Sequence, residues 1–318
     1  MLDILAITSP IYVTILIGFL ATRFGWFDKA AMRNFGAFVI KLALPALLFS
    51  ALSQRRFGEI LNVSYLFAYA GGSLALVALS YVFCRRIAGL DKSASAIYAM
   101  GMTCSNSGFI GYPILLLTFA PVAGVALAMN VIVENVLVLP LLLAMAERGG
   151  SASGPWHRMA GRSFAQLARN PIVIGTAAGL VVSLLGWKLP GPAQRTVGMF
   201  AVSSSALSLF VIGGTLVGLQ IRGLARRAAP VMITKLIGHP LAVLAGILLV
   251  PVVGLAPIDP MLAMAAVLLA AMPMASIYPI LSQAFGHEDF SATALVITII
   301  ASFFTLSALL WLMHRVPL

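Results

Sequence analysis

The sequence predicts an all-α membrane protein of about ten transmembrane helices, arranged as two inverted five-helix repeats. Three observations predict it. Charged residues make up 9% of the chain and apolar residues 61%, with a mean hydropathy of +1.05, against roughly 25% charged residues in soluble domains. Apolar runs of about 18 residues or more, the length that crosses a bilayer, fall at 4–22, 34–54, 63–84, 95–117, 120–145, 171–187, 196–219, 230–253, 259–285 and 290–313. The tetrapeptide Tyr-Pro-Ile-Leu occurs twice, at 112–115 and at 278–281, in runs of equivalent rank.

The first run starts almost at Met1, with no basic flank before it and no small-residue cleavage site after it. It reads as the first membrane helix rather than a removable signal peptide. The second carries Lys41 four residues before Pro45, where it could hold an anion, neutralise an acid within the spans, or snorkel to the interface. The third ends on Arg85 and Arg86. Cys84 and Cys104 lack metal-ligand spacing and read as small apolar residues.

The fourth run holds Asn106, Ser107, Gly108, Gly111 and Pro113 where a lipid-facing helix would carry Leu and Val. Packing through small residues accounts for the glycines but needs neither Asn106 nor Pro113. Proline removes a backbone donor and clashes with the preceding turn, so this helix is expected to break at membrane depth. Freed backbone groups cannot face lipid, and are tolerated only inside protein or along a cavity.

In the fifth run Glu134 is the one acidic residue well inside a predicted span, flanked by Asn135 and, on its own helix face, by Asn130. A charge there costs several kcal/mol unless it is paired, neutral or hydrated. It is either a proton-coupling group or one member of a structural pair, with Lys41 as a candidate partner.

The segment 148–169, with Gly149, Gly150, Ser151, Ser153, Gly154 and Pro155 leading into basic residues, is the only linker-like stretch. It separates a first repeat, 1–147, from a second, 170–318. Gly18 and Gly25-Trp26 recur as Gly179 and Gly186-Trp187 at an offset of 161, and Asp91 and Asp259 each head the run that contains Tyr-Pro-Ile-Leu. An odd number of spans per half inverts the second half in the membrane. In the eighth run Lys235 and His239 stand one turn apart and read as interfacial, although a histidine there also changes charge near neutral pH. The ninth run matches the fourth, with Pro273, Ser276, Tyr278 and Pro279 as its breaking and polar residues.

The net charge of +11 would invite nucleic acid in a soluble protein, but these charges follow the loops. With the N-terminus outside, inner loops carry Arg23, Lys29, Arg33, Arg85, Arg86, Lys92, Arg148, Arg158, Arg162, Arg169, Arg222, Arg226 and Arg227. Outer segments carry only Arg55, Arg56, Lys188, Arg195 and Arg315. The positive-inside rule therefore puts both termini outside, and the lipid bilayer rather than nucleic acid is the expected partner.

Paired broken helices of this kind mark secondary transporters. Half-helix ends offer unpaired amides and a positive dipole end to a carboxylate, and Asn106 and Ser107 add side-chain donors. No acidic pair occurs in the broken helices, which disfavours a cation exchanger built on carboxylates. A membrane-embedded lipid-modifying enzyme would need clustered acids, a metal set or a nucleophile with its base. Glu134 stands alone and His157, His239, His287 and His314 are scattered, so no catalytic residue, metal or cofactor is expected.

The chain resembles the auxin efflux carrier family over nearly its whole length, in particular the bacterial branch of malate or malonate permeases. The resemblance rests on Lys41-Leu42-Ala43-Leu44-Pro45, on the Asn-x-Gly-x-x-Gly-x-Pro run from Asn106 to Pro113, on Glu134-Asn135, on Lys235 to Pro240, and on the prolines of the ninth run. It implies a sodium/proton-antiporter-like fold in which the fourth and ninth helices cross, and a small organic acid as substrate. Asn106, Ser107, Gly108, Gly111, Pro113, Pro273, Ser276, Tyr278 and Pro279 would form the substrate site, with Glu134, Asn135 and Lys41 as coupling or charge-balancing groups. A homodimer is also suggested by the family. The sequence departs at Ser276, where a larger polar residue such as Asn is expected in some relatives. A sodium-coupled bile-acid-type symporter shares the architecture, with sodium held by oxygens of Ser105, Asn106 and Glu134; the choice between proton and sodium stays open at this level.

Overall fold

The computed structural model describes residues 2–149, 169–218 and 224–315, and among them every regular element is helical. Most of the expected linker, including Arg158 and Arg162, lies outside the described residues, as does Arg222. In chain order the helices are α1 (Leu2–Arg23), α2 (Lys29–Ser53), α3 (Val63–Arg86), α4 (Lys92–Thr103), α5 (Ser107–Thr118), α6 (Ala120–Glu147), α7 (Pro171–Leu185), α8 (Gly191–Thr215), α9 (Ala225–Leu249), α10 (Pro260–Ala270), α11 (Tyr278–Gln283) and α12 (Glu288–Arg315). Of these, 6 are long and apolar enough to cross a membrane: α2, α3, α6, α8, α9 and α12. The fourth and ninth apolar runs are each divided, into α4 with α5 and into α10 with α11.

Local chemistry explains where the helices start. Asp28, Asp91 and Asp259 are N-caps whose carboxylates accept from the amides of Ala31, Ala94 and Leu262, and Asn170 caps α7 in the same way. Each cap satisfies an amide that has no partner within its helix. Asp91 and Asp259, matched in the sequence, thus do the same work at the heads of α4 and α10.

Prolines explain the irregular turns. Wide π turns occupy Val39–Ala43 in α2, Ser107–Gly111 in α5, Val133–Val138 in α6 and Thr234–Gly238 in α9. Each ends two residues before a proline: Pro45, Pro113, Pro140 and Pro240. A proline has no amide to donate and its ring crowds the carbonyl four residues back. Widening the turn relieves the crowding and moves bonding to the fifth residue, as in Leu44 N to Val39 O, Leu139 N to Glu134 O and His239 N to Thr234 O. Lys41, Glu134 and Lys235 all sit inside such turns.

The helices sort into two compact units, each drawing on both halves of the sequence. The first comprises the described residues of Met1–Asn62, Ser107–Val131 and Ala168–Gly218. In it α1 packs on α8 and α7 packs on α2, and Leu47, Leu48, Leu52, Ile60, Leu127, Ala128 and Val131 form a buried apolar cluster. The second comprises the described residues of Val63–Asn106, Ile132–Leu167 and Leu219–Leu318. Here α3 packs on α9, α4 packs on α3 and on the end of α6, and α11 packs on α12.

Within the second unit α4 and α10 are buried along almost their whole length. Their Ala, Ser and Gly residues let neighbouring backbones approach closely. The α3/α9 contact depends on the same device: a Cβ on Gly72 would stand 2.5 Å from the Ala242 carbonyl oxygen, and one on Gly246 2.3 Å from that of Ala68. Gly72→Val is therefore expected to destabilise the protein by roughly 1–3 kcal/mol through overpacking. Gly71→Ala, where a Cβ meets nothing within 4 Å, should leave it unchanged or slightly firmer. Thermal unfolding of the detergent-solubilised protein compares the two, and equal midpoints would count against the close α3/α9 approach.

Candidate functional site

The two helix breaks in the second unit are tied to each other. After α4, Cys104, Ser105 and Asn106 run extended beside Pro273, Met274 and Ala275, with Ser105 opposite Met274 in an isolated antiparallel bridge. The Asn106 amide donates to the Pro273 carbonyl at 2.8 Å, and the Ala275 amide donates to the Cys104 carbonyl at 3.1 Å. These bonds satisfy backbone groups that the breaks release in a buried setting, where an unpaired group costs about 1–3 kcal/mol.

Side chains complete the junction. Asn106 is 4% exposed, and its amide nitrogen donates to the Ser276 hydroxyl at 2.5 Å. Pro273 is buried, Ser276 and Pro279 are half-buried, and Tyr278 is buried against Gly101, whose absent side chain leaves room for the ring. The Tyr278 hydroxyl has no partner among the described residues. In the first unit, Ser107, Gly111 and Pro113 are buried, and Gly108 packs against the Leu44 side chain. The Ser107 hydroxyl and the Asn130 amide group are likewise buried and unpartnered among the described residues. Native buried polar groups are overwhelmingly paired; Thr22, Ser80, Ser204, Ser208 and Ser307 also bury hydroxyls without a partner among the described residues, so such groups are not confined to the breaks.

Behind the junction the second unit holds a continuous polar chain. Glu134 accepts from the Ser105 amide at 3.0 Å and from the Tyr69 hydroxyl at 3.3 Å, and the Ser105 hydroxyl also bonds its carboxylate. Tyr65 stacks on Tyr69. Lys235, with no exposed surface, donates to the Ser105 hydroxyl at 2.8 Å and to the Ala270 carbonyl at 2.7 Å, and reaches His239 Nδ1 at 2.9 Å. An ammonium has three donors and no acceptor, so all its capacity is used and His239 Nδ1 is the acceptor. The other ring nitrogen then carries the proton and donates to the Ser73 hydroxyl at 2.9 Å.

These contacts correct the sequence reading in two respects. Lys235 and His239 are not interfacial; both are buried, and they form the centre of the chain. The cation linked to Glu134 is Lys235, through Ser105, whereas Lys41 is exposed in the first unit. Asn135 is half-buried and engaged. Tyr69 and Ser73 are not legible as partners, because single polar residues in apolar runs carry no signal of what they face, and Ser105, expected only as a sodium ligand beside Glu134, bonds both Glu134 and Lys235. A signal for Lys235 did exist: an ionisable residue four to six positions before a proline, as Lys41 and Glu134 also are.

Removing one partner of a buried pair leaves the other charge uncompensated, at a cost of roughly 3–5 kcal/mol. Lys235→Met alone should lower the thermal midpoint strongly, and adding Glu134→Gln should recover much of the loss. A double variant no more stable than the single one would show that the two groups are not coupled.

A family profile described as "Membrane transport protein" matches residues 4–312. The chain is 26% identical over 319 residues, 99% of its length and 97% of the other, to a protein of Rhizobium meliloti (strain 1021) described as "Putative malonate transporter". It is 25% identical to the "Uncharacterized transporter YfdV" of Escherichia coli (strain K12), over 74% of this chain and 75% of that one. It is also 27% identical over 250 residues to the "Lysosomal cholesterol signaling protein" of Mus musculus, covering 72% of this chain but 27% of that protein.

Proposed function

The chain belongs to the membrane transport protein family, the auxin efflux carriers, and is a multi-pass membrane transporter rather than an enzyme; from that premise we propose that it carries small organic anions by alternating access. The substrate carboxylate binds at the junction of the fourth and ninth spans. The observation that carries this reading is the Asn106–Ser276 pair, set where the backbones of two broken helices bond to each other. Neither break contains an acidic or basic residue, so an anion meets donors without first displacing a counter-ion. Chain segments resume as helices at Ser107 and Tyr278; the first amides and dipole end at Ser107 favour negative charge, whereas the Tyr278 amide already donates to the Ala275 carbonyl and Pro279 has none to offer. Gly108, Gly111, Pro113, Pro273 and Pro279 shape these ends, and the orphan hydroxyls of Ser107 and Tyr278 supply further donors. The relative described as a malonate transporter supports a small dicarboxylate.

The architecture proposed for this mechanism is two inverted repeats, 1–147 and 170–318, joined by a cytoplasmic segment at 148–169. Contacts related by exchange of the halves support it: α1 on α8 answers to α7 on α2, and α3 on α9 answers to itself. Loops expected on one side also meet within the first unit, since Arg55 donates to the Pro121 carbonyl and its own carbonyl accepts from Ser183. Charge asymmetry supports both termini lying outside a bacterial inner membrane, and the family resemblance supports a homodimer.

For coupling, Glu134 is the proton-binding group, with Asn135 on the same wide turn and Lys235 the cation linked to it through Ser105. Proton coupling is favoured over sodium by one observation. The Lys235 ammonium already takes the Ser105 hydroxyl and the Ala270 carbonyl, oxygens that a sodium ion beside the junction would need.

Asn106→Ala removes a hydrogen bond to a charged group, worth about 1.5–3 kcal/mol, so malonate uptake into proteoliposomes should fall by roughly 10- to 100-fold. Unchanged transport by the folded variant would sink the site assignment. Glu134→Gln combined with Lys235→Met, which leaves no buried charge uncompensated, should abolish accumulation driven by a proton gradient while leaving malonate exchange across the bilayer measurable. Accumulation by the unaltered protein that follows a sodium gradient instead would refute the coupling assignment.

A further inference from the structure

Away from the broken helices, the first unit contains a cavity of about 640 Å³ lined by Gln54, Arg55, Arg56, Trp187, Lys188 and Gln194 among others, with no acidic residue among the described side chains of its lining. It lies where α2 and α7 end and α8 begins. The cations gathered there are not ordinary loop charges. Of the five basic residues on the sparsely charged side of the chain, three line this single cavity.

One ordinary explanation is that they offset helix dipoles, since the carbonyl ends of α2 and α7 both point negative charge toward this end of the unit. Two such ends supply about −1 in total, and the start of α8 returns about +0.5. Three full positive charges exceed what the helix ends require by about 2.5. Two of the cations, Arg56 and Lys188, are exposed and available to a guest. Arg55 is held in place from both ends: its carbonyl accepts from the Ser183 hydroxyl at 2.6 Å and its guanidinium donates to the Pro121 carbonyl. Gln54 is oriented by its bond to the Ser50 hydroxyl at 2.9 Å, and Gln54 and Gln194 add neutral donors.

We infer that this cavity is a second anion site, for a guest bearing two negative charges as carboxylates or phosphate. Guanidinium forks and an ammonium match both geometries. The site goes beyond the transport reading and does not depend on it: its residues are distinct from Asn106 and Ser276, and it would bind its guest whether or not the protein moves it. The same chemistry is offered by a dissolved dicarboxylate collected before transport and by an anionic lipid headgroup.

Equilibrium dialysis with radiolabelled malonate and with radiolabelled inorganic phosphate tests the inference on full-length Asn106→Ala protein in zwitterionic nanodiscs, so that the junction is disabled. Saturable binding at low salt is expected, weakened at least tenfold by Arg56→Gln combined with Lys188→Gln and weakened further by added salt. Nanodiscs containing cardiolipin, whose headgroup carries two phosphate charges, distinguish the sources. Competition of the lipid with both probes identifies a headgroup as the guest, and undiminished malonate binding identifies the solute; either supports an anion site. Absence of saturable binding of either probe, or equal binding by the folded double variant, overturns the inference. Loss of malonate transport in Asn106→Ala without loss of this binding would keep the two sites apart.

Discussion

The constraint on which the structure turns is that a helix broken at membrane depth must return its freed amides and carbonyls to protein, because lipid accepts none of them. In the second unit the return is made in two layers. Backbone pairs with backbone across Ser105 and Met274. Two ionisable side chains then finish what the backbone leaves: Glu134 takes the Ser105 amide, and Lys235 takes the Ala270 carbonyl at the end of α10. A cation at the carbonyl end of a helix and a carboxylate on a released amide are each favourable for the charge as well as for the backbone. Burying two charges is thus a consequence of breaking two helices.

That arrangement separates binding from charge. The junction itself presents neutral donors, Asn106 and Ser276, while the charged groups stand behind it, joined through Ser105. Ser105 bonds both ionisable groups and stands one residue before Asn106. The His239–Ser73 end of the chain anchors Lys235 from the opposite side, leaving it little freedom to follow a departing partner.

The wide turns have the same origin. Proline cannot donate to the helix and crowds the turn before it, and in α2, α5, α6 and α9 the backbone answers by accommodating an extra residue per turn. Such turns reorient side chains away from the regular helical register, which is why Glu134 and Lys235 reach inward from helices whose other residues face apolar surroundings. Glycine serves the complementary need. Gly72 and Gly246 let α3 and α9 touch backbone to backbone, holding α9 at a depth from which Lys235 can reach Ala270.

Composition, run length and local motifs determined the all-helical membrane class, the helix heads at Asp91 and Asp259, and the two interrupted runs, because hydropathy, capping and proline sterics act over a few residues. The same locality made Asn106, Ser276 and Glu134 visible as polar residues out of place. Only tertiary structure decided their partners. Lys235 and His239 read as interfacial from their position near a loop, and Lys41 seemed as good a match for Glu134 as any cation. Whether a buried lysine snorkels or turns inward depends on acceptors contributed by α4 and α10, more than 100 and about 35 residues away along the chain. Periodicity shows which face of a helix is polar; what stands opposite that face is set by packing between distant segments.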